Sequence, residues 1–179
     1  MVTNLQNWVV IDTACALGIA VVQGGTIVSS GAWLIQPPEN RYDRRNSTIH
    51  GLNARSTKRS PNYAELYTSI APFLQDRYVL AHWAEFDVSV LRALHAYYGI
   101  PLPNVRYACS CRMAQRAFPQ LCNHQLPTVC GHCGISLQHH DATSDALACA
   151  QVALNCRDAA GVVTIHEAVG ALGLRLGSV

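Results

Sequence analysis

The segment Trp8-Val9-Val10-Ile11-Asp12 constrains this chain more than any other. Its apolar, largely β-branched residues favour an extended backbone, and their unbroken run predicts a buried strand. A carboxylate at the end of such a strand is costly unless it is paired, hydrogen-bonded or holds a cation. A fold that accepts Asp12 there must bring compensating groups to the same end of the sheet.

The next segments give that strand neighbours. Leu17 to Val22 is a second apolar run, Gln23-Gly24-Gly25 is a turn signal, and Thr26 to Ile35 resumes strand character before Pro37-Pro38 stops it. These predict an antiparallel meander of three strands. Glu39 to Ser60 is polar and Arg-rich, hence loop or short helix. Ser60-Pro61 reads as a helix N-cap with Pro at the first helical position, and Tyr63, Leu66, Ile70, Phe73 and Leu74 follow at helical spacing. Tyr78 to Ala81 predicts a short strand, Phe86 to Tyr98 a helix closed by Gly99 and Pro101, and Val105 to Cys109 the last strand. Further helices are expected over Cys111 to Phe118, Gln125 to Cys133 (closed by Gly134), Ser144 to Arg157 and Thr164 to Leu172. Strands in series, then strands alternating with helices, predict an α/β fold. Its mixed five-stranded sheet has three antiparallel strands, then parallel ones, with flanking helices. The length, 179 residues without repeat or linker, predicts a single domain over 1–179.

Composition narrows the function classes. Half of the residues are hydrophobic and 13% are charged, which excludes a disordered chain. Thirteen Lys and Arg against eleven Asp and Glu leave +2, so attraction to nucleic acid or membrane has to arise locally. The first residues lack a basic segment followed by an apolar run, and Trp8 to Val22, the longest nearly apolar stretch, is interrupted by Asp12. That is short of the ~18 residues a membrane span needs. A soluble, cytoplasmic chain with eight reduced cysteines and no membrane partner is the expectation.

Asp12, Asp87 and Asp145 each stand where an element begins or ends. Gathered at one sheet edge, such carboxylates repel by about 4 kcal/mol per pair at ~4 Å and an effective dielectric of ~20. Cations relieve that repulsion. Hard oxygen donors select Mg²⁺ or Mn²⁺, and a pair of such ions serves phosphodiester hydrolysis. The competing reading makes Asp87 and Asp145 plain helix N-caps.

Three segments carry a resemblance: Ile11-Asp12, then Ala81-His82-Trp83-Ala84-Glu85-Phe86-Asp87, then His140-Asp141-Ala142-Thr143-Ser144-Asp145. In this order, with Ile49-His50-Gly51-Leu52 between the first two, they resemble the motifs of the DEDDh 3′–5′ exonucleases, the family of ribonuclease T and the epsilon subunit of bacterial DNA polymerase III. The match runs over roughly residues 7 to 157. It implies a ribonuclease-H-like fold, two Mg²⁺ or Mn²⁺ ions, and hydrolysis at single-stranded DNA or RNA 3′ ends, with a polymerase or repair protein as partner. By the same resemblance Asp12 would bridge both ions, Asp145 would hold the ion that binds the attacking water, Asp87 would support the other, and His140 would be the general base. An imidazole with an ordinary pKa near 6.5 suits that task. His139 and Asp141 are neighbours easily confused with it.

The first motif departs from the family's Asp-x-Glu. Either Ala14 replaces the Glu, or Ala14-Cys15-Ala16-Leu17-Gly18 already opens the second strand and the Glu with its following loop is deleted. The second alignment is preferred, because Leu17 to Val22 joins directly. Either way one metal site loses a charged ligand and is expected to be weakened. Trp83 stands where family members often carry Asn. Its ring could stack on a base, but packing over the helix is the preferred reading. Arg41, Arg44, Arg45, Arg55, Lys58 and Arg59 crowd one loop region and could meet phosphates, as could a solvated loop without function. From this set His50, Trp83, Arg44, Arg45 and Arg55 are the candidates for nucleic-acid contact. Cys109, Cys111, Cys130 and Cys133 have zinc-like spacing, but Leu126, Val129, Cys130 and Cys133 share one helical face and read as core. The leading expectation is a 3′–5′ exonuclease impaired by the absent Glu. The rivals are an inactive relative that binds nucleic acid or protein, and a zinc-stabilised binding module.

Overall fold

The computed structural model describes residues 7–13, 15–42, 47–48 and 51–179, without the side chains of residues 10–13. The expectations for Arg44, Arg45, His50 and the Asp12 carboxylate lie outside the described residues.

The meander forms as expected. Strand β1 (Asn7–Thr13) pairs antiparallel with β2 (Ala16–Gln23), and β2 with β3 (Thr26–Leu34) around the Gly24-Gly25 turn. The register puts Asp12 opposite Gly18 and Thr13 opposite Leu17. Strand β2 therefore starts at Ala16, and only residues 14 and 15 separate the two strands. This is the directly joined second strand of the preferred alignment, with no loop after the first motif.

Helix α1 (Tyr63–Leu74) follows, then β4 (Arg77–Ala81), α2 (Ala84–Tyr98) and β5 (Val105–Cys109). Strands β1, β4 and β5 run parallel, so α1 and α2 are the crossovers. The cap of α1 is corrected. Asn62, not Ser60, accepts from the backbone N–H of Glu65, and the Glu65 side chain accepts from the Asn62 N–H. This reciprocal box outweighs Pro61, which is left outside the helix, its carbonyl bonded to Gln36. The sheet also gains a sixth strand, β6 (Gly177–Ser178), antiparallel to β5, giving the order β3-β2-β1-β4-β5-β6. Two residues with no apolar alternation offer no sequence signal; β6 forms because the edge of β5 is open to pairing.

Helices α3 (Ser110–Ala117), α4 (Leu126–Cys133), α5 (Ala142–Ala159) and α6 (Ile165–Ala171) complete the fold. Two cores result. Helices α3 to α6 cover one face around Trp8, Leu80, Met113 and the small residues of α5, while α1 and α2 cover the other around Val9, Leu17, Ile70 and Leu91. Helix α5 is nearly uniform in hydropathy because its Ala and Cys residues are buried on several sides. Its close approach depends on Gly18, where an added Cβ would stand 1.9 Å from the carbonyl oxygen of Ala142. The bare backbone of β2 thus lets the start of α5 settle beside the register partner of Asp12. Among the described residues no helix is long and apolar enough to cross a membrane.

Candidate active site

The β4-to-α2 junction carries the second motif. His82 is half-buried, with Nδ1 2.9 Å from the Ser110 hydroxyl and Nε2 2.9 Å from the carbonyl oxygen of His124. The carbonyl can only accept, so Nε2 carries the proton, and Nδ1 is then the acceptor for the hydroxyl. Burial lowers the His82 pKa, opposed by the His124 carbonyl and by the negative charge of Asp145. His82 is therefore a neutral peg joining β4 to α3, and it lies within the field of the third motif. Sequence reasoning quoted His82 without giving it a role. A polar residue inside an otherwise apolar strand end was the available signal.

At the next residue the backbone bends sharply. Trp83 is the residue before α2 and has left-handed geometry (φ 66°), with its side chain 55% exposed. The residue is thus largely open to solvent, as is Phe86 in the first turn of α2. Asn tolerates this backbone readily, whereas a bulky residue pays for it in strain. Asp87 is buried in the first turn of α2, but it is not the cap. Glu85, the nearest spare acid, is committed to Arg112 at 2.8 Å on the surface.

The third motif is a tightly bonded loop. Asp141 caps α5, accepting from the Ser144 N–H at 2.8 Å, and the Gln138 N–H donates to the Ser144 hydroxyl oxygen at 2.8 Å. These bonds free Asp145 from capping. It is buried instead, with one carboxylate oxygen accepting from the His140 N–H at 2.9 Å and the other facing His139 Nδ1 at 3.1 Å. His140 is held in left-handed geometry (φ 71°), and its ring stacks on that of His139 with centroids 3.8 Å apart. Donor atoms of His139, His140 and Asp145 all lie within 4.8 Å of one another. Sequence reasoning treated His139 as a bystander, but its ring is the one bonded to the acid.

These residues wall a groove of about 550 Å³ that runs from Gln138, His139 and His140 across Ala16, Ala32, Leu34 and Leu52. Its apolar lining is supplied by β2, β3 and the residue after Gly51. Arg55 is exposed in the next turn, where its N–H bonds the Asn53 side chain, and Arg41 pairs with Glu39 at 3.4 Å. The cysteines form no comparable centre: among the described residues none belongs to a group of three or more metal donors. Burial pushes the Cys130 thiol up to about 11 and Cys111 to about 12, so both are neutral thiols in the fold.

The family model for the RNase T exonucleases matches residues 3–153. The chain belongs to this exonuclease family. The DEDDh 3′–5′ exonuclease resemblance carried by the three motifs is thereby supported. The chain is 27% identical over 140 residues to a PolC-type DNA polymerase III of Bacillus cereus, covering 76% of the chain and 10% of that protein. It is 28% identical over 146 residues to the PolC-type polymerase of Thermotoga maritima, covering 80% and 10%. The chain thus spans about a tenth of the length of the curated relatives it matches. Among solved structures, Exonuclease X in complex with 5′ overhanging duplex DNA superposes with a TM-score of 0.74 at 18% identity, over 93% of this chain and 99% of that one. The nuclease domain of 3′hExo, a DEDDh family member bound to rAMP, gives 0.74 at 9% identity over 98% of both chains. These two show a shared fold.

Proposed function

We propose that this protein removes nucleotides from the 3′ end of DNA or RNA in the groove beside the third motif. The observation that carries the reading is the buried Asp145 carboxylate, bonded at both oxygens to the histidine pair that walls the groove. Asp12, Asp87 and Asp145 are the residues to hold divalent ions, Mg²⁺ or Mn²⁺ for the family. A carboxylate as buried as Asp145 with a single imidazole beside it suits a cation. Bound there, such ions supply charge neutralisation of the phosphate and a more acidic water. The ring of His140, on the surface of the groove, accepts the water's proton. The Asp145–backbone bond keeps that ring at the groove wall. Trp83 and Phe86 offer aromatic faces for bases, and Arg44, Arg45, Arg55 and His50 are the candidates for the strand's phosphates and its terminal nucleotide. The PolC-type and Exonuclease X relatives make a DNA end the first substrate to try, and a polymerase or repair assembly the class of partner.

A second reading rests on the shortened first hairpin, which carries no acid besides Asp12: an exonuclease-like domain that binds 3′ ends without cutting them. Incubation with a 3′-labelled single strand and Mn²⁺ separates the two. Stepwise loss of the terminal nucleotide, abolished by Asp145→Ala or His140→Ala, supports the enzyme. Retention of an intact strand supports the binding domain. Restoring an Asp-x-Glu segment with its loop would then raise the rate sharply if the missing acid is the limitation.

A further inference from the structure

We propose that a notch at the far end of α2, between Tyr97 and Gln36, is a second nucleobase site, which takes an unpaired base of the strand upstream of its 3′ end. This deepens the proposed function by extending its binding track, and it rests on that reading for the 3′ end held in the groove. The notch has a volume of about 300 Å³, the small end of ligand clefts, and its walls include Gln36, Asn62, Tyr97 and Tyr98. The two tyrosines close α2, with their rings edge to face at 80° and centroids 4.9 Å apart. Tyr98 packs against the core covered by α1 and α2, whereas Tyr97 joins neither core and is 58% exposed. Tyr97 therefore offers ring surface that the fold itself does not use. Such a face accepts any base, because every base has a π surface.

Amides beside the rings supply selectivity. Gln36 and Asn62 form an isolated parallel β-bridge and both line the notch, so their side chains lie side by side. Asn62 Oδ1 accepts from the Glu65 N–H at 3.0 Å, which leaves its NH₂ group for a ligand. The Gln36 amide has no bonded partner among the described residues. A glutamine amide presents a donor and an acceptor together, the pattern that pairs with N6 and N7 of adenine. Charge favours a base over a phosphate: Glu39, also in the lining, pairs with Arg41 at 3.4 Å, so the notch carries no surplus positive charge. Glu39 and Asn40 are both left-handed (φ 55° and 52°), and the Asn40 amide holds this strained turn by donating to the Ala54 carbonyl at 3.2 Å. Position ties the notch to the groove. A hollow lined by Leu17, Tyr63 and Leu94 shares Ala16 with the groove and Pro37 and Pro38 with the notch. Tyr97 lies ten residues beyond Asp87 on α2, about 15 Å at 1.5 Å per residue, which is about four stacked nucleotides at ~3.4 Å each. A strand of three nucleotides is too short to fill both sites, and one of eight is long enough.

The test is fluorescence anisotropy of 5′-labelled DNA strands with the full chain in EDTA, where binding is read without divalent ions. The wild-type protein should bind an eight-nucleotide dA strand at least fivefold more tightly than a three-nucleotide one, and at least threefold more tightly than an eight-nucleotide dT strand. Tyr97→Ala should remove the advantage of length and Tyr97→Phe, which keeps the ring, should retain it. Gln36→Ala should remove the preference for dA over dT. Circular dichroism checks each fold, and the Phe and Gln36 variants decide the matter if Tyr97→Ala does not fold. An eight-nucleotide strand bound no better than the short one, a length advantage that survives Tyr97→Ala, a dA preference that is absent or survives Gln36→Ala, or displacement of the long strand by a proline-rich peptide overturns the proposal. Failure of the exonuclease reading shows separately, as an intact 3′-labelled strand in Mn²⁺.

Discussion

Gly18→Ala adds one methyl group at the place where the first and third motifs meet. Its Cβ would stand 1.9 Å from the Ala142 carbonyl oxygen and 2.4 Å from the carbonyl carbon. Both atoms are backbone, so no side chain can swing away. Real Cβ atoms essentially never stand within 3.0 Å of another heavy atom, so β2 and the start of α5 have to separate by about 1.1 Å or more. Overpacking of this kind costs ~1–3 kcal/mol, and each kcal/mol lowers the melting temperature of a domain this size by ~2–4 °C. The larger effect falls on the site. Asp145 and both histidines ride on that end of α5, while Asp12 is the register partner of residue 18. A displacement of ~1 Å between catalytic groups costs on the order of a hundredfold in rate. Gly31→Ala is the control, since its Cβ would meet nothing within 4 Å on the neighbouring strand. Melting curves and release of the terminal nucleotide from a labelled strand are measured for both variants. A Gly18→Ala protein that matches Gly31→Ala in melting temperature and in rate would refute the close-approach argument.

Three other outcomes follow from particular residues. Tyr63→Phe removes the hydroxyl that donates to buried His95 Nε2 at 3.0 Å, while His95 Nδ1 is engaged by the Pro101 carbonyl at 2.9 Å. The stranded acceptor should cost ~1–3 kcal/mol in urea unfolding, and an unchanged midpoint would contradict it. Burial lowers the His82 pKa in the fold, so below an ordinary value near 6.5 the unfolded chain takes a proton that the native state resists. Stability should therefore fall as pH drops from about 6.5 through the folded pKa, and His82→Gln should flatten that slope in urea unfolding measured from pH 8 to 5. Trp83→Asn relieves a left-handed bulky residue, worth ~1–2 kcal/mol, and removes a stacking face worth ~1–3 kcal/mol per base. The variant should melt higher and raise KM for an oligonucleotide with kcat little changed; a lower melting point would mean the ring is part of the core after all.

The local code of this chain was readable because it is redundant. Periodicity, turn residues and caps agree along β1 to β3 and from α1 to β5, so element types and order follow from residues alone. The motif spacing of Asp87, His140 and Asp145 marked the candidate site for the same reason: each acid or imidazole sits at an element end, where polar residues interrupt apolar runs. What sequence could not decide depends on contacts between distant segments. Asn62 displaced Ser60 as cap because Glu65 completes a box, and β6 exists because β5 has an open edge. Trp83 is left-handed and largely open to solvent at the turn before α2. Asp145 faces His139, not its own helix N-terminus, because Asp141 and Ser144 settle the capping first. Sequence by itself determined the α/β order, the family and the missing acid, all of which are properties of neighbouring residues. The tertiary structure decided which histidine meets the acid and how closely α5 approaches β2, because those depend on backbone angles and on the volume left by a single glycine, and no local pattern encodes either.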